Sequence, residues 1–280
     1  MLISDFLNIK SSNIPFMNIS PECDNKYFID PSNLKKHNIP NFNNKLCLQK
    51  IENFLQTILG LYKSGNFKKL NDIINNIHEL NSTHIGYGSK NITSMGRGPS
   101  FDSLKESLNN VNDIYTKLSN KKLIDIVSIF SPNFGKDSIS DLITNIIYEE
   151  LSNYTLKIAK LYNKEKYIHN FKIKTWNVQK QDWIIKNNGT KFVLNGYDTI
   201  LIPKDLISKS KTYLLSASGF VYSVLGLIKQ KRTNTNKTKN KLTKNDAYKL
   251  VRQQHNNVDN KQIAFKESMK NPSLMDKYIN

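Results

Sequence analysis

Asp137 and Asp141 stand four residues apart in the run Ser131-Pro-Asn-Phe-Gly-Lys-Asp-Ser-Ile-Ser-Asp-Leu. A Pro/Gly-bearing turn sets Asp137 just ahead of a helix that begins near Ser138, and Asp141 falls one turn into it. Two hard carboxylates so placed suit Mg²⁺ or Mn²⁺, and such an ion activates water against a phosphodiester. The histidines and cysteines offer no softer-metal alternative. A plainer account rests on the same residues. Ser138-x-x-Asp141 reads as a capping box with a short acid, and first-turn acids suit the helix dipole. Both accounts stand at this level.

A second carboxylate is out of place. Ile139, Leu142, Ile143, Ile146, Ile147, Leu151, Tyr154, Ile158 and Leu161 follow helical spacing and make one apolar stripe. Glu150 falls within that stripe, where an unpaired charge is costly. It is therefore paired, protonated, on a metal or facing a cleft, unless the helix phase carries it to the rim. It lies nine residues past Asp141, or ~13 Å at ~1.5 Å per residue, too far to share an ion with it. Its expected role is a buried supporting one.

The elements around these acids read as a mixed α+β fold with an α/β-like centre. A strand over Leu123–Phe130 is expected to feed the acidic turn. The N-terminal half is helical over Leu46–Tyr62 and Phe67–Leu80, after a short strand at Tyr27–Pro31. The second helix ends in His78-Glu79, which lacks the spacing of a zinc-protease motif because the next histidine is His84. Gly86, Gly88, Gly96, Arg97 and Gly98 precede a helix at Phe101. Glycines there expose backbone N–H groups to phosphate beside Arg97, although no P-loop spacing is present and an ordinary loop fits as well. Phe171–Trp176 alternates, and Asn195-Gly196 joins Lys191–Leu194 to Tyr197–Ile202 as a type I′ hairpin in a small sheet. Pro203 ends that strand and presents Lys204.

The division expected is a core over residues 1–228, a basic linker over 229–245 and a helical tail over 246–280, with a break at Pro272. Lys229 to Asn245 contains Lys, Arg, Thr and Asn without an acid, so Lys229, Lys231 and Arg232 become candidate phosphate contacts. The chain has 280 residues, a net charge of +18 and 38% hydrophobic residues, which exclude a disordered chain and favour a polyanionic partner. Only Arg97, Arg232 and Arg252 are arginines, so contact with the nucleic-acid backbone is expected rather than base reading. Cys23 and Cys47 make neither a disulfide framework nor a zinc site. The N-terminus carries no secretory signal, and the uncharged run Thr212–Ile228 reads as a buried helix, so a cytoplasmic protein without a membrane partner is expected.

Phe28-Ile-Asp-Pro31, Glu79 with Asn81 and Gly86-Tyr87, Gly96-x-Gly98, Asp137-x-Ile-Ser-Asp141-Leu-x-x-Asn145 and Ile202-Pro-Lys204 together resemble the pattern of a bacterial family found near restriction and phage-defence genes. The resemblance spans most of residues 28–204 and implies a defence setting, with other protein subunits as partners. In that setting the acids, Lys204 and the basic surface are similar to PD-(D/E)XK nucleases. Asp137, Asp141, Glu150 and Lys204 would supply the set, with Glu79 added from its helix and Mg²⁺ as cofactor. That motif wants an acid two residues before the lysine, and here the position is Ile202. The competing expectation is a non-catalytic nucleic-acid-binding or assembly subunit of a defence complex. A third is an enzyme acting on a nucleotide at the glycine-dense loop.

Overall fold

The structure is a computed structural model that describes residues 1–10, 13–86, 101–118, 123–130, 136–207, 215–234 and 241–279. In chain order its helices begin with α1 (Ile3–Phe6), α2 (Asn33–Lys36), α3 (Asn44–Lys63) and α4 (Phe67–Ile74). Then come α5 (Phe101–Tyr115), α6 (Leu123–Phe130), α7 (Lys136–Ile146) and α8 (Tyr148–Leu161). Strands β1 (Ile168–Asn177), β2 (Asp182–Leu194) and β3 (Tyr197–Thr199) follow. The chain closes with α9 (Ala217–Phe220), α10 (Gly226–Asn234), α11 (Lys244–Gln254), α12 (Asn260–Lys270) and α13 (Pro272–Ile279). The fold is thus mixed α+β, with a helical C-terminal stretch and a small antiparallel sheet in the order β1-β2-β3.

The chain divides into two compact units, one of residues 1–101 with 135–211, the other of 102–134 with 212–280. This corrects the expected single core over 1–228, because the second unit gathers two separated stretches of sequence.

In the first unit, α3 and α8 pack against the sheet. Trp176 on β1 is fully buried and meets Phe54 of α3 edge-on at 4.8 Å between ring centroids. Its indole N–H donates to Asn53 Oδ1 at 2.8 Å, which satisfies the polar edge of an otherwise apolar ring. The register of β1 and β2 slips between Phe171 and Ile173. Gly189 makes that possible, since a Cβ there would stand 2.8 Å from the Ile173 Cβ. Asn195 and Gly196, at φ 49° and 86°, supply the two left-handed residues of the hairpin turn. On the helix side, Ser152 of α8 accepts from the Thr190 N–H at 2.7 Å, and Thr155 accepts from the Leu201 N–H at 2.9 Å.

The N-terminal segments are sewn to this frame by single backbone links. Ile29 donates its N–H to Ser140 Oγ at 3.0 Å, Asp30 N–H to the Leu206 carbonyl at 2.9 Å, and Met17 N–H to the Ile202 carbonyl at 2.8 Å. The short strand expected at Tyr27–Pro31 is therefore one isolated bridge, Ile29 to Ile207.

The second unit overturns the strand expected at Leu123–Phe130, which is helix α6. Leu123, Ile124, Ile126, Val127, Ile129 and Phe130 are all buried. A helix covered on every side has no polar face, so its sequence loses the 3.6-residue signal and reads like a buried strand. Lys229–Asn234, expected as the start of a linker, are the last turns of α10. Gln230 and Asn234 there hold the chain ahead of α11 by bonds to Leu242. Pro272 opens α13, where its missing N–H costs nothing. Tyr278 on α13 donates its hydroxyl to the Ser216 carbonyl at 3.1 Å and accepts from the Ser216 N–H at 3.2 Å. Gly219 leaves room for that ring, since a Cβ would lie 2.2 Å from the hydroxyl. Among the described residues no helix is long and apolar enough to cross a membrane.

Candidate functional site

The helix read as continuous from Ser138 to Leu161 breaks at Ile147, where φ −99° and ψ 15° separate α7 from α8. That break sends the acids of the two helices to different places. Asp137 and Asp141 belong to α7 and Glu150 to the first turn of α8.

The α7 acids meet other carboxylates. Asn145, one turn beyond Asp141, donates its amide to the His78 carbonyl at 2.6 Å and to the Asp141 carbonyl at 2.8 Å. This staple lays the segment after α4 along α7 and brings Glu79 to Asp137 and Asp141. The chain then passes through Gly86 at φ +141°, where a Cβ would stand 3.4 Å from Asp137 Oδ1 and 3.9 Å from Glu79 Oε1. Asp24 arrives from a third direction. Asn25 beside it exchanges backbone bonds with His84 and Gly86, and its side-chain amide donates to the His84 carbonyl at 3.0 Å.

Electrostatics set this group apart. Burial, then the charges of Asp137, Glu79 and Asp24, push Asp141 up to about 7, from an ordinary value of 3.8. Near neutrality Asp141 is therefore poised between its two forms, able to release its proton to solvent when a cation binds or to accept one from a water. Among the described residues no three His, Cys, Asp or Glu side chains already stand in metal-binding positions. The fit to a hard divalent ion thus rests on donor chemistry and repulsion.

Beside the cluster opens a cleft of about 250 Å³, lined in part by Cys23, Asp24, Asn81, Ser82, His84 and Asp198. His84 is left-handed at φ 53°, and its Nε2 lies 3.0 Å from the Asp198 carbonyl and 3.2 Å from Thr199 Oγ1. Burial pulls its pKa down to about 4 against the opposing bond to Asp198, so the neutral ring donates to β3 and fixes the wall of the cleft.

The remaining predicted site residues scatter. Lys204 donates its ammonium to Asn13 Oδ1 at 2.8 Å, and its N–H to the Pro15 carbonyl. Glu150 pairs with Lys50 of α3 at 2.7 Å, in a network where Lys50 also meets Glu149 at 2.9 Å and Thr175 Oγ1 at 3.0 Å. Lys186 closes the network on Glu149 at 2.6 Å. Gly96, Arg97 and Gly98 lie outside the described residues. Lys229 and Arg232 line a separate cleft in the second unit, and Lys231 is an exposed residue of the same helix. Sequence reasoning missed Asp24, which sits in irregular chain without any periodicity. It also missed Lys50, whose place among Cys47, Ile51 and Phe54 on a buried face was a visible signal.

The first unit is thus a helix-and-sheet scaffold with a half-buried acidic cluster at a helix start. The chain belongs to the family described as a domain of unknown function (DUF8370), whose model matches residues 7–214. No curated protein and no solved structure matches the chain.

Proposed function

We propose that the Asp24–Glu79–Asp137–Asp141 cluster is a divalent-cation-dependent phosphodiesterase site acting on DNA or RNA, within the anti-phage defence setting implied by the residue pattern. The observation that carries this reading is the convergence of Glu79, Asp137 and Asp141 beside Gly86, held by the Asn145 bonds to the His78 and Asp141 carbonyls, with the pKa of Asp141 pushed up to about 7 in support. Carboxylates brought together from separate chain segments repel one another, and a hard cation such as Mg²⁺ relieves that repulsion. Asp137 and Asp141 are the residues that would hold the ion, with Glu79 and Asp24 adding charge around it. The ion would supply Lewis-acid activation of water and of the phosphoryl oxygens. The net charge of +18 supports a phosphate-backbone substrate. Lys204 and Glu150 have no part in it, and the nuclease comparison thereby loses its lysine.

Asp141→Asn removes the charge and keeps the shape. Incubated with Mg²⁺ or Mn²⁺ and either plasmid DNA or single-stranded RNA, wild-type protein should cleave one of them. Chelator and Asp141→Asn should each abolish that cleavage. Cleavage undiminished in Asp141→Asn overturns the assignment.

A second reading is favoured by the lack of three ready ligands among the described residues together with the basic charge. In it the protein is a non-catalytic nucleic-acid-binding subunit. Salt-dependent retention of nucleic acid, with cleavage absent under every metal tested, selects it.

A further inference from the structure

The second unit holds a cleft of about 440 Å³ between α10, α11 and α12, wholly beyond the residues matched by the family model. Its size falls within the ~300–1,000 Å³ typical of small-molecule sites. Its floor is aliphatic, made by Leu225, Ile228 and Val251, and its mouth carries Lys229, Arg232 and Thr233. The carboxylate among its lining residues is Glu267, which is bonded by Lys270 at 2.7 Å and faces His255 at 3.6 Å. With Glu267 shared with Lys270, the lining carries two cations of α10, Lys229 and Arg232, against this one carboxylate.

An independent feature of the backbone points to the same place. Val221–Leu225 form a π-helical turn, in which the Gly226 N–H reaches back to the Val221 carbonyl. Such turns are rare, cost hydrogen-bond geometry and recur where a side chain must be re-aimed for function. The last residue of this one, Leu225, lines the cleft. Gly226 follows it, with the Tyr248 backbone of α11 3.7–3.8 Å from where a Cβ would stand. The π turn thus sets where Leu225 stands in the lining, with α11 packed at ordinary contact distance from Gly226.

We propose that this cleft binds a small amphipathic anion. Its aliphatic body would lie on Leu225, Ile228 and Val251, and its carboxylate or phosphate head would sit at Lys229, Arg232 and Thr233. Among the described lining residues the one ring is the imidazole of His255, which faces Glu267 at 3.6 Å, so an aliphatic body is favoured over a strand of stacked bases. The two heads share one chemistry and are separated by the probes.

Calorimetric titration of the full chain with octyl phosphate, octanoate, 1-octanol and adenosine monophosphate tests the proposal. Octyl phosphate or octanoate should bind one per chain with a Kd below about 1 mM. Whichever binds more tightly names the head. The neutral octanol should bind at least about tenfold more weakly, since it lacks the charge. Lys229→Gln with Arg232→Gln should weaken the anion by about tenfold or more. Ile228→Trp, which fills the cleft from a half-exposed position, should abolish binding. The octanol comparison uses unaltered protein, so it decides even if a variant fails to fold. Absence of saturable binding by either anion, octanol binding as tightly as the anions, or affinity unchanged in the double variant overturns the proposal. Adenosine monophosphate binding more tightly than both aliphatic anions overturns it in favour of a nucleotide site.

Discussion

Two groups of buried charge in the first unit come from similar side chains and behave oppositely. Around Lys50, carboxylates and ammonium groups alternate. Burial alone would lower Lys50, but Glu150 and Glu149 outweigh it and hold the amine above its usual value. Glu149 is lowered despite its burial, because Lys186 and Lys50 both donate to it. Glu150 is raised, by burial first and then by the Glu149 charge, more than Lys50 lowers it, and among the described residues its Oε2 accepts no hydrogen bond. Around Asp141, burial first and then the carboxylates of Asp137, Glu79 and Asp24 all push its pKa up. The first arrangement is how a fold tolerates internal charge. The second gathers like charges around a buried carboxyl, an arrangement that a proton or a cation can stabilise.

The largest expected effect breaks the balanced group. Lys50→Met should lose about 3–5 kcal/mol of stability in urea denaturation, because Glu150 stays buried without its cation and Glu149 keeps only Lys186. Adding Glu150→Gln should recover part of that loss. A double variant as unstable as the single one would mean that packing, not charge, sets the cost.

Asp141→Asn should act in the opposite direction. A carboxyl raised from 3.8 to about 7 keeps its proton in the folded protein while the unfolded chain has lost it. Folded stability therefore falls as pH climbs from about 4 to 7 and carries the full penalty above 7. The substitution should raise the Tm at pH 8 by roughly 3–8 °C and leave it unchanged near pH 4. Mn²⁺ should raise the wild-type Tm at pH 8 and do little for the variant. An equal shift at both pH values would show that ionisation of Asp141 is not the cause.

Next in size is Asn145→Ala, which removes the staple between α7 and the His78–Glu79 segment. It should cost about 1–2 kcal/mol and let Asp141 titrate nearer the ordinary carboxylate range, read by carbonyl NMR. An unchanged titration would exclude Glu79 as a contributor. The smallest effect belongs to Lys186→Gln, expected to cost less than about 1 kcal/mol in the same urea assay. Lys186 is 39% exposed, and Glu149 keeps Lys50. A larger loss would make the balanced group more tightly coupled than its geometry indicates.

Much of this was legible where periodicity is strong. The Asn195-Gly196 hairpin appears because the left-handed dihedrals of its turn select those residue types. Asp137, Asp141 and Glu79 were singled out and do come together, yet the agent is Asn145, whose staple no local rule announces. Glu150 stood out as an acid on an apolar face. Its partner Lys50 was missed, although it lies among Cys47, Ile51 and Phe54 on an apolar face of α3 and was legible by the same rule. The break at Ile147 was hidden because apolar residues continue through it, and α6 was hidden because burial on every side erases the pattern.

That buried α6 has a consequence for how the protein is made. Its unit consists of residues 102–134 and 212–280. On a ribosome adding about 5–20 residues per second, roughly 80 residues must follow α6 before its partners begin to emerge, a wait of about 4–16 s. For that interval Leu123–Phe130 is a greasy segment without a home, while much of the first unit is still being synthesised around the gap. The interval before completion, more than the finished fold, is when this chain is most exposed to aggregation and most in need of a chaperone.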